Sequence, residues 1–189
     1  MKLKKYPFLN HNEIFLQKYS LIPLRKRDIQ NIRKWRNEQI NVLRQKIPLT
    51  KEDQSIYYNN TIEQSFYKSK PDIILFSFLH NKDCIGYGGL VHMDWNSKSG
   101  EVSFVNNTNR TKSKTIYQKD FFIFLKLLFK IAFDDMNLNK LITETYDVRP
   151  WTIEVLENLD FKIEKRLKKH ILIDGELYDS LLHTKFSNS

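Results

Sequence analysis

Apolar and polar residues alternate over several short runs of this chain, and such alternation predicts β-strands. The predicted strands cover residues 19–25, 72–79, 84–94, 101–105, 140–146, 161–173 and 177–186. Segments 80–83 and 96–100 have turn composition and predict hairpins between neighbouring strands. Since Pro23 has no N–H to give to a central ladder, we expect the first of these strands at a sheet edge.

Apolar residues at helical spacing predict four helices between these strands. Two of them follow Asp28 and Thr50, a third covers residues 118–135, and the last begins at Pro150. Thr50 and Asp53 stand at capping-box positions. Along the chain, β-hairpins come first, and a strand–helix–strand unit follows in the second half. The predicted fold class is therefore α/β (α+β), with a mixed central sheet of six to seven strands and about four helices.

The length of 189 residues suits a single domain, expected over residues 19–187 after a loosely attached leader of residues 1–18. The single cysteine, Cys84, excludes an internal disulfide and a cysteine-rich zinc site, and we expect no metal. No run approaches the ~20 apolar residues that cross a bilayer. We therefore expect a cytoplasmic protein without a membrane partner.

The net charge of +9 and the isoelectric point near 9.5 mark a basic protein. Such a charge can indicate nucleic acid, a membrane surface or a phosphorylated ligand as the partner. The lysines and arginines are dispersed along the chain, which is typical of a solvated surface. The sequence patterns of the common nucleic-acid-binding modules are absent, so nucleic acid is not an expected partner.

Several short segments follow one another in an informative order. They are Trp35-Arg-Asn37, Ile85-Gly86, Glu101-Val-Ser-Phe104, Arg149-Pro-Trp-Thr152 and Val155-Leu-Glu-Asn-Leu-Asp-Phe161. In this order they resemble the GNAT superfamily of N-acetyltransferases, over residues 19–186. The resemblance is greatest to its ribosomal-protein acetyltransferase-like branch and to the amino-sugar acetyltransferases of surface-polysaccharide pathways. It implies a sheet that is splayed between the fourth and fifth core strands.

The resemblance implies acetyl-CoA as the co-substrate and no metal. Where the family has a glycine-containing pyrophosphate loop, this chain has Arg110-Thr-Lys-Ser-Lys-Thr115. Backbone amides at a helix N-terminus can still bind phosphate, with hydroxyl and cationic side chains added. The cofactor-binding residues that we expect are Phe104, Val105, Arg110, Lys112, Ser113, Lys114, Thr115 and Arg149.

Four residues are expected to act in catalysis. Glu101 begins the strand expected beside the pantetheine, where a carboxylate can take the proton of the substrate ammonium; an exposed strand end is the alternative. His92 shares a strand face with Asp94 by the two-residue period and can assist the base. Thr152 and Tyr146 can donate to the departing thiolate. Leu156 stands where many family members have a tyrosine that serves as general acid, so that role is vacant.

The small-molecule amine acceptor is expected beside the first helix. The expected substrate-binding residues are Arg36, Asn37, Arg44, Gln45, Asp94 and Trp95. The cationic groups suit the diphosphate of a nucleotide sugar, so the preferred acceptor is the amino group of a nucleotide-linked amino sugar, attacked directly in a ternary complex. Two alternatives stay open: a protein N-terminal, ribosomal-protein-like acetyltransferase, and a non-catalytic CoA-binding scaffold. The sequence also leaves open whether the protein forms a homodimer.

Overall fold

An eight-stranded mixed sheet organises residues 4–187, which are the residues described by this computed structural model of the protein. The strands are β1 (Ile14–Leu16), β2 (Tyr19–Pro23), β3 (Ile74–His80), β4 (Asp83–Asp94), β5 (Ser99–Asn106), β6 (Lys140–Tyr146), β7 (Lys162–Ile173) and β8 (Glu176–Phe186). They lie in the order β1-β2-β3-β4-β5-β6-β8-β7. The mixed α/β prediction is confirmed, with a strand count slightly higher than expected.

Five helices cover the faces of this sheet in the described part of the chain. They are α1 (Ile29–Glu38), α2 (Lys51–Tyr57), α3 (Thr108–Thr111), α4 (Lys114–Phe129) and α5 (Pro150–Asn158). α2 continues through a π-helical turn and a last α-helical turn, Tyr58–Ile62 and Glu63–Ser65, and α4 continues as the π-helical segment Lys130–Asp135. The predicted capping box is present, because Thr50 and Asp53 exchange side-chain and backbone hydrogen bonds.

Aromatic side chains fix α4 on one face of the sheet. The ring of Phe104 on β5 lies 5.1 Å from that of Phe121 and 4.5 Å from that of Phe124, between centroids. Gly88 on β4 permits this approach, since a Cβ there would stand 2.7 Å from the Phe124 ring. Because side chains alternate along a strand, Glu101, three residues before Phe104, points to the opposite face.

That opposite face carries α1. Ile29, Ile32 and Trp35 of α1 are buried, and Arg36 donates a hydrogen bond to the hydroxyl of Tyr87 on β4. Tyr87 pairs with Val105 across the β4–β5 ladder, so both residues face α1. The carboxylate of Glu101 therefore lies on the side of the sheet where the segment between α1 and α2 runs.

β5 and β6 are paired in parallel over only three residues. The pairs are Ser99 with Lys140, Gly100 with Leu141, and Glu101 with Ile142. β5 stays paired with β4 as far as Asn106. Beyond Glu101, β5 and β6 therefore part and leave a wedge between them. These are the fourth and fifth strands of the predicted set, so the expected splay is confirmed.

The first described residues correct one expectation. Residues 4–18 were expected to be loosely attached, yet Tyr6 is fully buried and its hydroxyl bonds to the backbone N–H and C=O of Leu75. β1 pairs with β2 and takes the sheet edge, so the strand with Pro23 lies inside the sheet. Pro23 is tolerated because it ends that strand. A three-residue strand is too short to show a period in sequence.

A histidine in β8 is buried without a polar partner. His183 is completely buried, and neither ring nitrogen makes a hydrogen bond within the described residues. Burial lowers the pKa of His183, so the folded protein binds a proton there less readily than the unfolded chain does. The folded state therefore keeps its full free energy of unfolding above the unfolded pKa of about 6.5, where His183 is neutral in both states. It loses stability as the pH falls below that value, because only the unfolded chain binds the proton readily.

We expect His183→Leu to flatten the acid side of the stability profile. Between about pH 7.5 and about pH 5, the urea midpoint of the wild-type protein should fall by more than that of the variant. His80→Leu, at a half-buried position, serves as the control and should keep the wild-type dependence. Parallel profiles for wild type and His183→Leu would contradict the assignment.

Candidate active site

A cavity of about 220 Å³ fills the wedge between β5 and β6. Its lining includes Arg36, Arg44, Glu101, Phe104, Val105, Tyr146, Arg149 and Thr152, all expected at the site from the sequence. Where the strands part, their facing edges have backbone N–H and C=O groups that no longer pair with each other. An extended ligand with amide groups can bind such edges as an added strand does.

Glu101 stands at the closed end of the wedge with two partners. Its Oε1 lies 2.8 Å from Nη1 of Arg44, and its Oε2 lies 2.9 Å from Nδ1 of His92. A bulge in β4 between Val91 and Asp94 gives His92 a left-handed backbone, with φ of 49°. This bulge turns the His92 ring toward Glu101.

Asp94 and Trp95, which follow the same bulge, lie away from the site. Asp94 accepts hydrogen bonds from the backbone N–H of Asn96 and of Ser97 and so closes the β4–β5 turn. Trp95 donates to the carbonyl of Pro71 and packs on an aromatic ring near the start of the chain. Neither residue lines the cavity. The structure therefore does not bring them together with the other expected site residues, and for Asp94 the reason is the bulge, which breaks the two-residue alternation.

Glu144 on β6 is a second carboxylate of the cavity, and sequence reasoning missed it. Its Oε2 accepts a hydrogen bond of 3.1 Å from Nε of Arg44, and its Oε1 accepts one from the hydroxyl of Ser180. His170 lies 3.6 Å away. Burial alone would raise the pKa of the Glu144 carboxyl, but Ser180 and Arg44 outweigh it and hold the pKa below its usual range. Only the β5–β6 pairing shows that Glu144 faces Glu101.

The other polar residues expected around α1 bond mainly to each other. Arg36 donates from Nε to Oε1 of Gln45 at 2.9 Å, and Gln45 donates to Oδ1 of Asn37 at 2.8 Å. Asn37 also accepts from the backbone N–H of Leu49 and donates to its carbonyl. These bonds fix the segment that carries Arg44. Asn37 and Gln45 thus use donors within the chain, whereas Arg36 also lines the cavity.

A helix N-terminus lies beyond the open end of the wedge. α4 begins at Lys114, four residues earlier than expected, with Ser113 as its N-cap. The Ser113 hydroxyl accepts from the N–H of Ile116, and the first intrahelical bond runs from the N–H of Tyr117 to the Ser113 carbonyl. The N–H groups of Lys114 and Thr115 precede that bond. With the helix dipole, they suit a phosphate.

In the segment from residue 110 to residue 115, Lys112 and Lys114 are exposed. Nζ of Lys114 lies 3.2 Å from a carboxylate oxygen of Glu154. Arg110 is engaged elsewhere. It donates from Nε and Nη2 to the two oxygens of Asp120, at 2.6 and 2.8 Å. Two of its donors are thus held by Asp120, and its expected contact with the cofactor stays a prediction. The sequence showed the cation without showing the carboxylate that it pairs with.

Asp120 is the centre of a buried polar cluster. It is completely buried on α4, and besides Arg110 it accepts from Nδ2 of Asn106 at 2.8 Å and from the hydroxyl of Tyr19 at 3.3 Å. These contacts tie α4 to β2, to the end of β5 and to the short helix α3. The cluster positions the N-terminus of α4.

Hydroxyl groups line the cavity beside α5. The Thr152 hydroxyl donates to the hydroxyl of Tyr117 at 3.3 Å. Burial raises the pKa of Tyr146, so this phenol keeps its proton at neutral pH and can donate it in a hydrogen bond. Leu156 is completely buried and has no polar group to offer. Burial raises the pKa of the Cys84 thiol to about 12, which excludes it as a ready nucleophile.

A splayed sheet with a carboxylate at the closed end of the wedge and a helix N-terminus at the open end has the architecture of an acyl-CoA-dependent acyltransferase. The family model for the acetyltransferase (GNAT) domain matches residues 21–182. The chain therefore belongs to the GNAT acetyltransferase family. It is an N-acetyltransferase that uses acetyl-CoA, and the exposed amides of α4 and the unpaired strand edges fit that cofactor.

Solved structures of similar fold include two named acetyltransferases. The ribosomal-protein-S5-alanine acetyltransferase from Vibrio fischeri has a TM-score of 0.72 and 16% identity, over 94% of this chain and 97% of that chain. The spermidine N-acetyltransferase from Vibrio cholerae, in complex with CoA and spermine, has a TM-score of 0.71 and 16% identity, over 90% of this chain and 96% of that one. A comparison with curated proteins gives no match.

Two kinds of feature are absent from residues 4–187. No group of three or more His, Cys, Asp and Glu side chains is arranged there to hold a metal ion. None of the helices in that range combines the length and apolar character needed to cross a membrane.

We expect Ser113→Asp to weaken the binding of coenzyme A by about tenfold or more, because it places a negative charge beside the pyrophosphate site. Isothermal titration calorimetry measures the dissociation constant. Ser113→Asn is the matched control: asparagine also caps a helix, without the charge, so its affinity should stay near that of the wild type. Equal affinities for the two variants would show that the pyrophosphate binds elsewhere.

We expect Asp120→Asn to lower the free energy of unfolding by about 3 kcal/mol, since it breaks a buried ion pair by removing one partner. Because Asp120 positions the start of α4, affinity for coenzyme A should fall as well. Urea unfolding and calorimetry measure the two effects. A destabilised variant that binds coenzyme A with wild-type affinity would leave the cluster a structural role only.

Proposed function

We propose that this enzyme transfers an acetyl group from acetyl-CoA to the primary amine of a small cationic acceptor, by direct attack in a ternary complex. The observation that carries the proposal is a pair of carboxylates, Glu101 on β5 and Glu144 on β6, on the two walls of one cavity. Carboxylates favour the charged form of an amine beside them. The neighbour named a spermidine N-acetyltransferase was crystallised with the polycation spermine, which supports an acceptor of this kind.

Glu101 is the group that we assign as the base. An ammonium has no free lone pair, so it must lose a proton before its nitrogen can attack the thioester carbonyl. Glu101 can take that proton within the cavity. His92, 2.9 Å from the other carboxylate oxygen and largely exposed, can pass it to solvent. The chain then needs no acyl-enzyme intermediate, in keeping with the raised pKa of its half-buried cysteine.

The leaving group needs a hydrogen-bond donor as the carbon–sulfur bond breaks. Acetyl-CoA supplies the acetyl group and carries the thiol that leaves. Tyr146 and Thr152 line the cavity and present hydroxyl groups, and the Thr152 oxygen, 3.3 Å from that of Tyr117, can accept from Tyr117 when its own proton points at the sulfur. We assign Tyr146 and Thr152 to the stabilisation of the thiolate. Phe104 and Val105 supply the strand edge along which the pantetheine would lie.

The contacts of the first helix do not support a nucleotide-linked amino sugar. The polar groups of Arg36, Asn37 and Gln45 bond to one another, to the Tyr87 hydroxyl or to backbone, and Arg44 faces two carboxylates. A diphosphate needs cations that are not already paired. A protein N-terminus is the second candidate, because it presents an ammonium group and because the S5-alanine acetyltransferase has a similar fold.

A thiol-release assay with acetyl-CoA tests the acceptor class. The panel contains spermidine, butylamine, a peptide with an N-terminal alanine and UDP-glucosamine. We expect the highest kcat/KM for spermidine. A preference for UDP-glucosamine would contradict the proposal, and a preference for the peptide would select the second candidate. Binding of coenzyme A without turnover of any amine would favour the non-catalytic scaffold.

We expect Glu101→Gln to lower kcat/KM by about a hundredfold near neutral pH, the usual contribution of a general base. The deficit should shrink as pH rises toward the amine pKa of about 10, because solvent then deprotonates the acceptor. A pH–rate profile measures this. Glu52→Gln, on the exposed first turn of α2, is the control and should match the wild type. An unchanged profile for Glu101→Gln would remove its role as base.

A further inference from the structure

Arg44 places a positive charge inside the cavity that is proposed to receive a cationic acceptor. We propose that Arg44 is an internal substitute for the acceptor's ammonium group. It pairs with the two cavity carboxylates until a cationic amine displaces it, and it thereby selects which amines are accepted. This inference rests on the proposed function and adds a specificity-determining residue to it.

One guanidinium spans the closed end of the wedge. Nη1 of Arg44 lies 2.8 Å from Oε1 of Glu101, and Nε lies 3.1 Å from Oε2 of Glu144. Glu101 belongs to β5 and Glu144 to β6, so the arginine bridges the two strands that part. A guanidinium has several donors in a rigid fork and can satisfy two carboxylates at once.

The exposures of the three side chains indicate which group moves. The side chain of Arg44 is 50% exposed, whereas those of Glu101 and Glu144 are 21% and 12% exposed. The arginine can therefore swing into solvent while the carboxylates stay in the cavity. Because the arginine partner of these ion pairs is half exposed and solvated, a bound cation of comparable charge can compete with it for the carboxylates.

Displacement does not require the surrounding segment to unfold. Gln45, the next residue, is held by Asn37 and Arg36, and Leu49 is held by Asn37. None of these bonds involves the side chain of Arg44. Its guanidinium can thus leave by side-chain rotation alone.

The geometry also connects binding with proton transfer. Oε1 of Glu101 is engaged by Arg44, and Oε2 by His92. When an acceptor ammonium replaces the guanidinium, it meets Oε1 and transfers its proton there. The amine nitrogen then has a free lone pair and can form the new bond to the acetyl carbon, as the bond to sulfur breaks. A neutral acceptor has no charge with which to replace Arg44.

The charge balance argues against the opposite role, in which Arg44 binds an anionic group of the acceptor. One guanidinium faces two carboxylates, so these three side chains together carry a net negative charge; of the other two arginines in the lining, Arg36 bonds to Gln45 and Tyr87 and Arg149 lies over the Tyr117 ring. An anion approaching Arg44 would also approach Glu101 and Glu144. A cation is attracted by the same arrangement.

The test compares Arg44→Gln with Arg44→Lys, which keeps the charge. The probe is 1,4-diaminobutane, titrated by calorimetry into the enzyme saturated with coenzyme A, and butylamine is the single-charge control. We expect Arg44→Gln to bind the diamine about fivefold more tightly than the wild type, the size expected from two partly exposed ion pairs. The gain for butylamine should be smaller, and Arg44→Lys should stay near the wild type.

Unchanged or weaker binding of the diamine by Arg44→Gln would overturn the inference. Weaker binding of UDP-glucosamine by Arg44→Gln, with no gain for the diamine, would assign Arg44 to an anionic acceptor instead. The calorimetric readout does not depend on turnover. If the wild type acetylates none of the amines and the variant still binds the diamine more tightly, the proposed function fails while the role of Arg44 stands.

Discussion

The parting of β5 and β6 is the constraint on which the rest of the structure depends. Each strand is held by a different neighbour: β5 follows β4 as far as Asn106, and β6 follows β8 from Lys140 to Tyr146. Phe104 fixes β5 beneath α4, on the opposite side from Glu101. The three parallel pairs that remain bring Glu101 and Glu144 onto facing walls of one cavity. A fully paired β5–β6 ladder would remove the cavity and separate its carboxylates from any ligand.

The local charge at the site differs from the charge of the whole chain. The sequence carries a net charge of +9, which favours anionic partners. At the closed end of the wedge, however, two carboxylates face a single arginine. At the other end lie the first amides of α4, which carry the partial positive charge of a helix N-terminus. The two ends of the wedge thus differ in charge: one end suits a phosphate and the other suits an amine cation.

Local sequence signals predicted local structure well. β6 was predicted with its observed bounds, and the capping box at Thr50 is present as expected. The failures share a cause, which is contact between distant parts of the chain. Arg44 and Glu144 are 100 residues apart, so no local pattern shows that they pair. The bulge beside His92 likewise defeats an argument from strand alternation, since an inserted residue leaves no clear mark in a single sequence.

The segment expected to bind the pyrophosphate shows how long-range contacts can replace a local motif. Residues 106–115 contain no glycine, so this backbone gains nothing from glycine's conformational freedom. Instead, Ser113 caps α4, while Asp120 ties the helix to Asn106 and Arg110. A buried carboxylate is costly unless its hydrogen bonds are satisfied, and Asp120 has three donor side chains. With its cap and its buried anchor, α4 can present its first amides at a fixed place, which is the property that phosphate binding requires.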